Sequence, residues 1–186
     1  MAVKVDTPPV IDGIMDDEVW NLATKSSPFV QDDPVHGVPM TERTEFRVLY
    51  DDKALYLGFW CFDSGPNKIL ARTMSRDDWP DADDFLIISI DPFLDRRNGY
   101  MFAVNPNGSR FDAIINNNAY AGSSWDTIWD CRGKVTNEGW FCEFKLPFDS
   151  IAFAPNNTTW GFNVERTIRR KNEEGKWHSE GRHLST

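Results

Sequence analysis

Apolar and polar residues alternate through much of this chain, and turn chemistry breaks the alternation about every 8–12 residues, the spacing of short strands. The stretch 83–118 shows it best. Residues 84–91 are rich in β-branched and aromatic side chains and stop at Pro92, which cannot continue a central strand. In 99–105, Tyr100, Phe102 and Val104 face one way and Met101 and Ala103 the other. Asn105-Pro106-Asn107-Gly108 then spells a turn, with proline pre-setting φ and glycine supplying a positive φ. Residues 110–116 alternate again, Phe111, Ala113 and Ile115 against Arg110, Asp112 and Ile114. The pattern predicts a strand, a loop and a tight hairpin.

The flanking sequence continues the theme. In 42–50, Thr44, Phe46, Val48 and Tyr50 oppose Glu45, Arg47 and Leu49. After a turn at 51–53, residues 54–62 are apolar on both faces, as in a strand at a sheet centre. Segments 131–135 and 140–146 predict a hairpin around a turn at 136–139, ended by Pro147. Residues 160–169 predict a last long strand, with Trp160, Phe162, Val164 and Ile168 inward and Asn163, Glu165 and Thr167 outward. Residues 27–31 read as an edge strand, 116–124 as a small polar loop. Helical signals are brief: Asp16 as cap of a short helix through Ala23 that buries Val19, Trp20 and Ala23, a turn or two in 66–74, and a single turn at 148–151. About nine short strands with one or two short helices predict an all-β, antiparallel β-sandwich, jelly-roll-like, as one domain over 1–186.

Charge narrows the function. A net charge of −9 argues against a nucleic-acid surface. The basic run 166–171 reads as a solvated strand end matched by Glu173 and Glu174. Residues 1–4 lead straight into fold-like sequence without a signal peptide, so the chain is expected to be cytosolic or trimmed from an exported protein. Three cysteines make no disulfide framework. A symmetric hairpin register sets Cys131 opposite Phe144 and Cys142 opposite Gly133, diagonal neighbours that a bulge would have to shift before they could bridge. Cys61 reads as a small buried hydrophobe.

Phosphate loops, paired C-x-x-C, H-E-x-x-H and G-x-S-x-G elbows are absent from the sequence. Paired carboxylates are the remaining catalytic option, a small glycoside hydrolase drawing on Asp83, Asp84, Asp112, Asp126, Asp130, Glu143 or Glu165. Two acid groups are candidate calcium ligands, Asp12, Asp16 and Asp17 near the N-terminus, and Asp77, Asp78 and Asp81 with Asp83 and Asp84 further on. Helix capping and a solvated sheet edge are the plain alternatives for these acids. Core filling explains most of the eight Trp and thirteen Phe, but Trp79 sits in the acid-rich loop beside Pro80.

Four segments then occur in a familiar order. They are Ile11-Asp12-Gly13 with Asp16 and Trp20; 48–57 with Asp63; 84–91 with 100–108; and Gly139-Trp140, Glu143, Leu146-Pro147-Phe148 and Trp160-Gly161-Phe162-Asn163 with Arg166. Together they resemble the family 9 carbohydrate-binding modules, in the variant found at the N-terminus of larger exported bacterial proteins associated with the outer membrane. The resemblance implies a non-catalytic β-sandwich, sometimes with structural calcium, joined to other domains of one exported polypeptide. It implies that two Trp rings clamp a saccharide, with Trp79 matching the first and Trp177 the second. Asp83 or Asp84 falls near its acidic hydrogen-bonding position and Asn105 near an amide; Arg97 or Arg110 would donate to ring oxygens. The alternative is a structural or protein-interaction domain that binds no sugar.

Overall fold

The computed structural model describes residues 1–120 and 125–178. The strands are β1 (Val3–Lys4), β2 (Val30–Asp33), β3 (Thr44–Tyr50), β4 (Ala54–Phe62), β5 (Phe85–Asp91), β6 (Gly99–Val104), β7 (Arg110–Asn116), β8 (Ala119–Tyr120), β9 (Asp130–Val135), β10 (Gly139–Pro147), β11 (Gly161–Ile168) and β12 (Glu173–Lys176). They form a five-stranded sheet in the order β1-β3-β4-β10-β9 and a seven-stranded sheet in the order β2-β12-β11-β5-β6-β7-β8. Every pairing is antiparallel except β1 with β3. The architecture is the expected sandwich.

The inward positions are those the alternation marks. Leu86, Ile88, Ile90, Phe102, Val104 and Val164 of the larger sheet meet Leu57, Phe59, Cys61, Cys142, Phe144 and Leu146 of the smaller one. β4 is apolar on both faces because its outer face is covered too. Residues 3–20 lie across it, with Trp20 edge-on to Trp60 at 6.1 Å. Gly58 makes room for this cover, since a Cβ there would lie 2.8 Å from Met15 Cε. The buried Glu143 pins the cover down: Trp20 Nε1 donates to Oε1 at 3.0 Å, and the Asp12 and Gly13 amides donate to Oε2 at 3.0 Å each. Burial pushes the Glu143 carboxyl up, against these donors. The Asp-Gly and Trp of the opening motif and the glutamate of the closing one thus meet as architecture.

Cys142 faces Gly133 and Cys131 faces Phe144, the register read from the hairpin turn, and all three thiols are free and buried. Other local readings change. The first helix is a 3₁₀ turn, Glu18–Leu22, preceded by Asp17 rather than Asp16, and the Asp17 carboxylate accepts from the Val10 amide at 2.9 Å instead of capping. The edge strand expected at 27–31 is β2, since Pro28 has no N–H to offer a ladder. The segment 66–74 holds one 3₁₀ turn, Pro66–Lys68, and 148–151 another, Phe148–Ser150. β11 is followed by β12, which returns through Asn172 in the left-handed region (φ 48°). Strands as short as β1, β8 and β12 carry too few residues to show a period. The loop expected at 116–124 lies partly outside the described residues.

The basic run is the largest correction. Arg166 is fully buried, because its position shares the inward parity of Val164. It joins the sheets, donating from Nη1 to Arg43 O (3.1 Å) and Thr44 Oγ1 (2.9 Å) and from Nη2 to Phe62 O (2.9 Å). Arg170 pairs with Glu42 at 2.8 Å and Asp63 at 2.5 Å, and Lys171 with Glu42 at 2.6 Å. Glu173 serves Thr41, accepting from its amide and hydroxyl at 2.7 and 2.5 Å.

Candidate functional site

The outer face of the larger sheet carries the site. Its outward positions are Phe85, Ile87 and Ser89 on β5, Met101 and Ala103 on β6, Phe111, Ala113 and Ile115 on β7, and Asn163 and Glu165 on β11. Trp79 lies over one end, packing edge-on against Phe85 (5.5 Å) and Phe111 (5.2 Å), with 37% of its surface exposed. At the other end a cavity of about 260 Å³ opens among the last residues of β5, the 92–98 loop, Ile115, Asn118, β11 and His178. Gly99 sits at its edge and must be glycine, as a Cβ would fall 2.4 Å from Ile90 O. From Phe85 to Asp91 is about 20 Å at about 3.4 Å per residue.

The 92–98 loop is held rigidly. Asp91 Oδ1 accepts from the amides of Phe93 (3.0 Å) and Leu94 (2.7 Å), and Oδ2 from that of Arg96 (2.8 Å). Asp95 accepts from the amides of Arg97 and Asn98 at 2.8 Å each and from Asn98 Nδ2 at 2.6 Å. These donors, Asn98 first, hold the Asp95 carboxyl below its usual range. Leu94 and Arg96 take positive φ values of 57° and 60°, a conformation that costs energy in residues other than glycine. Arg96 and Arg97 line the cavity, and no carboxylate among the described residues forms a salt bridge with either.

The residues proposed as a sugar clamp do not converge. Trp177 follows the outward Lys176, so its ring turns inward, against Phe46 at 5.0 Å and Phe162 at 6.1 Å, with Nε1 donating to Ser27 Oγ at 2.8 Å. Trp79 and Trp177 therefore stand on opposite faces of one sheet. Asp83, Asp84 and Asn105 are fully buried and serve the fold. Asp83 accepts from the amides of Arg72 (2.7 Å) and Thr73 (2.8 Å) and from Asn105 Nδ2 (2.9 Å). Burial opposes its ionisation, but the Thr73, Arg72 and Asn105 donors outweigh burial and hold the carboxyl below its usual range. Asn105 Oδ1 in turn accepts from the Asn107 and Ser109 amides, closing the turn of the β6–β7 hairpin. Asp84 accepts from the Arg169 amide at 3.1 Å, and burial pushes its carboxyl up. Arg110 is spent on Trp129, donating to its carbonyl and lying 5.7 Å from its ring. Of the polar residues named for the clamp, Arg97 alone reaches the cavity.

Members of both acid groups are engaged within the fold. Asp12 Oδ1 accepts from the Ile14 amide at 2.8 Å, Asp17 is held by Val10, and Asp77 lies 3.6 Å from Arg76. Asp16, Asp78 and Asp81 add no convergence: among the described residues no three Asp, Glu, His or Cys side chains gather as ligands. None of the candidate catalytic acids lines the cavity, whose carboxylate is Asp91. Glu143 and Asp112 are buried, the latter accepting from Trp129 Nε1 at 2.8 Å and from Arg76 at 3.0 Å, an arginine it shares with Asp126.

Residues 11–177 match the model of the family described as carbohydrate family 9 binding domain-like. The chain belongs to that family. Among similar solved structures is a family 9 carbohydrate-binding module from Caldicellulosiruptor kristjanssonii in complex with glucose, with TM-score 0.66, 19% identity and coverage of 98% of this chain and 88% of that one. The same source's module in complex with cellotriose gives TM-score 0.67 at 19% identity, covering 98% and 85%. A Bacteroides uniformis ATCC 8492 protein provisionally assigned as carbohydrate-binding gives 0.73 at 13% identity, covering 100% and 91%. No curated protein matches the chain in sequence. The family 9 motifs that carried the resemblance, Asp12-Gly13, Trp20, Asp63, Glu143 and Arg166, are all buried or bonded into the frame.

Sequence reading missed Ser89, Arg96, Asn118, Asn163 and His178 as cavity residues. A signal existed for Ser89 and Asn163, which are polar at outward positions and register-paired. No local pattern links them to the 92–98 loop or to His178.

Proposed function

We propose that this domain is a non-catalytic module that binds a saccharide on the outer face of the larger sheet, in the cavity between the 92–98 loop and His178. One observation carries the reading: a cavity on that face, edged by hydroxyl, amide and guanidinium groups beside the aliphatic Ile115, in a family named for carbohydrate binding. Sugars present apolar C–H faces and polar rims, and such a site answers both. The relatives complexed with glucose and cellotriose make glucosides the first ligands to try. Trp79 is a second apolar platform, which only an oligosaccharide could reach from the cavity. Hydrogen bonds to charged groups contribute roughly 1.5–3 kcal/mol each before ordering costs, which places affinity in the micromolar to millimolar range. A place within a larger exported polypeptide is part of the proposal and rests on the family resemblance.

The inward ring of Trp177 favours a second reading, a structural or interaction domain that binds no sugar. Calorimetric titration with glucose, cellotriose and a panel of neutral and acidic oligosaccharides, with and without calcium, separates the two. Saturable heat from any of them, lost on Asn163→Trp, which would crowd the cavity, supports the module. Absence of heat with the whole panel at millimolar concentration leaves the interaction domain.

A further inference from the structure

We propose that the sugar taken by the cavity is anionic, a uronic acid or sulfated residue whose acid group is held by Arg96 and Arg97; this rests on the saccharide-binding reading above. A neutral sugar offers hydroxyls that both donate and accept, so its site must supply acceptors as well as donors. In this cavity several side-chain acceptors already hold protein donors. Both oxygens of Asp91 hold loop amides. Asn163 Oδ1 accepts from the Val164 amide at 3.0 Å and the His178 amide at 3.1 Å, and its Nδ2 donates to His178 O. Asn98 Oδ1 accepts from the Asn117 amide at 3.1 Å. What remains uncommitted is two guanidiniums, with the Ser89 hydroxyl, the Asn118 amide and the His178 ring beside them.

Guanidiniums only donate, and two of them at one cavity edge favour a ligand group that only accepts. Carboxylates and sulfates are such groups, and guanidinium forks match their geometry with paired hydrogen bonds. The charge is local, because the chain as a whole is at −9. An anionic glycan would otherwise be repelled by this surface, so two arginines without a salt bridge at the cavity edge, set against Asp91 in the lining and Asp95 in the loop, offset the field of the rest of the molecule where the ligand would sit. The backbone that carries both arginines is already fixed by Asp91 and Asp95, so the loop itself need not be ordered when a ligand binds.

The test is calorimetry at low ionic strength with matched ligands. Trigalacturonate is compared with its fully methyl-esterified form, glucose 6-sulfate with glucose, and cellotriose serves as the neutral oligosaccharide. The proposal expects at least one acidic member to bind about tenfold or more tightly than its neutral partner. It expects the preference to fall in 0.5 M salt and to vanish in the Arg96→Gln, Arg97→Gln double variant, whose melting temperature should match wild type because both side chains are exposed. The carboxylate and sulfate arms identify which acid group is recognised. Equal or tighter binding of the neutral members overturns the anionic assignment and leaves the saccharide reading intact. An acidic preference unchanged in the double variant also overturns it, placing the acid group elsewhere. Silence from every ligand overturns both.

Discussion

Replacing the two tryptophans separately distinguishes a ring that faces ligand from a ring that fills the sandwich. Trp177 packs on Phe46 and Phe162 and donates to Ser27. Truncating a core tryptophan to alanine costs about 3–5 kcal/mol, and each aromatic pair accounts for about 0.5–1.5 kcal/mol beyond buried area. Because the ring is only half buried, Trp177→Ala should cost about 3 kcal/mol, at the low end of that range. For a domain of this size that lowers the melting temperature by about 6–12 °C. Trp79 rests edge-on against two rings but leaves over a third of its surface in water. Its loss should cost about 1–2 kcal/mol. The assays are thermal unfolding by circular dichroism and sugar titration well below both transitions. Trp177→Ala should bind sugar as wild type does, while Trp79→Ala weakens only oligosaccharides long enough to cross the sheet. If Trp177→Ala abolishes binding while its stability stays within about 0.5 kcal/mol of wild type, the ring faces ligand and the inward packing described here is wrong.

Removing the Glu143 carboxylate leaves three donors unpaired, two of them buried, so Glu143→Ala should cost about 3–5 kcal/mol, with Glu143→Gln milder because one acceptor survives. Denaturant titration checks this, and a cost below about 1 kcal/mol would mean that residues 3–20 are held by apolar packing alone. Glu42 gives a pH signature. Burial opposes its charge, but Lys171 and Ser64 outweigh burial and bring its pKa down to about 2. The folded value lies below the unfolded one, so its stabilisation is present above the unfolded pKa of about 4.3 and is lost as pH falls toward 2, on the order of 3 kcal/mol. Glu42→Gln should flatten that part of the acid unfolding curve, and an unchanged slope would refute the ion-pair account. Burial pushes the Cys61 thiol up to about 12 and the Cys142 thiol well above its ordinary value. Thiol reagents should therefore label the native protein only at its unfolding rate, and rapid labelling would show that the sandwich opens locally.

Much of the frame is legible in sequence because strand alternation and turn chemistry are local. The three strands around Asn105-Pro106-Asn107-Gly108, the facing of Cys142 with Gly133 and the inward and outward sets of β11 all follow from a period of two and a turn that sets register. The burial of Asp83 and Asn105 does not follow, because the bond that joins them spans 22 residues. Nor does the role of Arg166. Alternation sets it inward, but its charge argues for solvent until the Arg43 and Phe62 carbonyls of the other sheet are seen to receive it. Trp177 shows the limit most sharply. One step of the pleat decides which face its ring takes, and that step is counted from the pairing of Lys176 with Glu165, a tertiary fact. The cavity is tertiary in the same sense. It joins β5, the 92–98 loop, β11 and the segment after β12, brought together by sheet order rather than by any sequence motif.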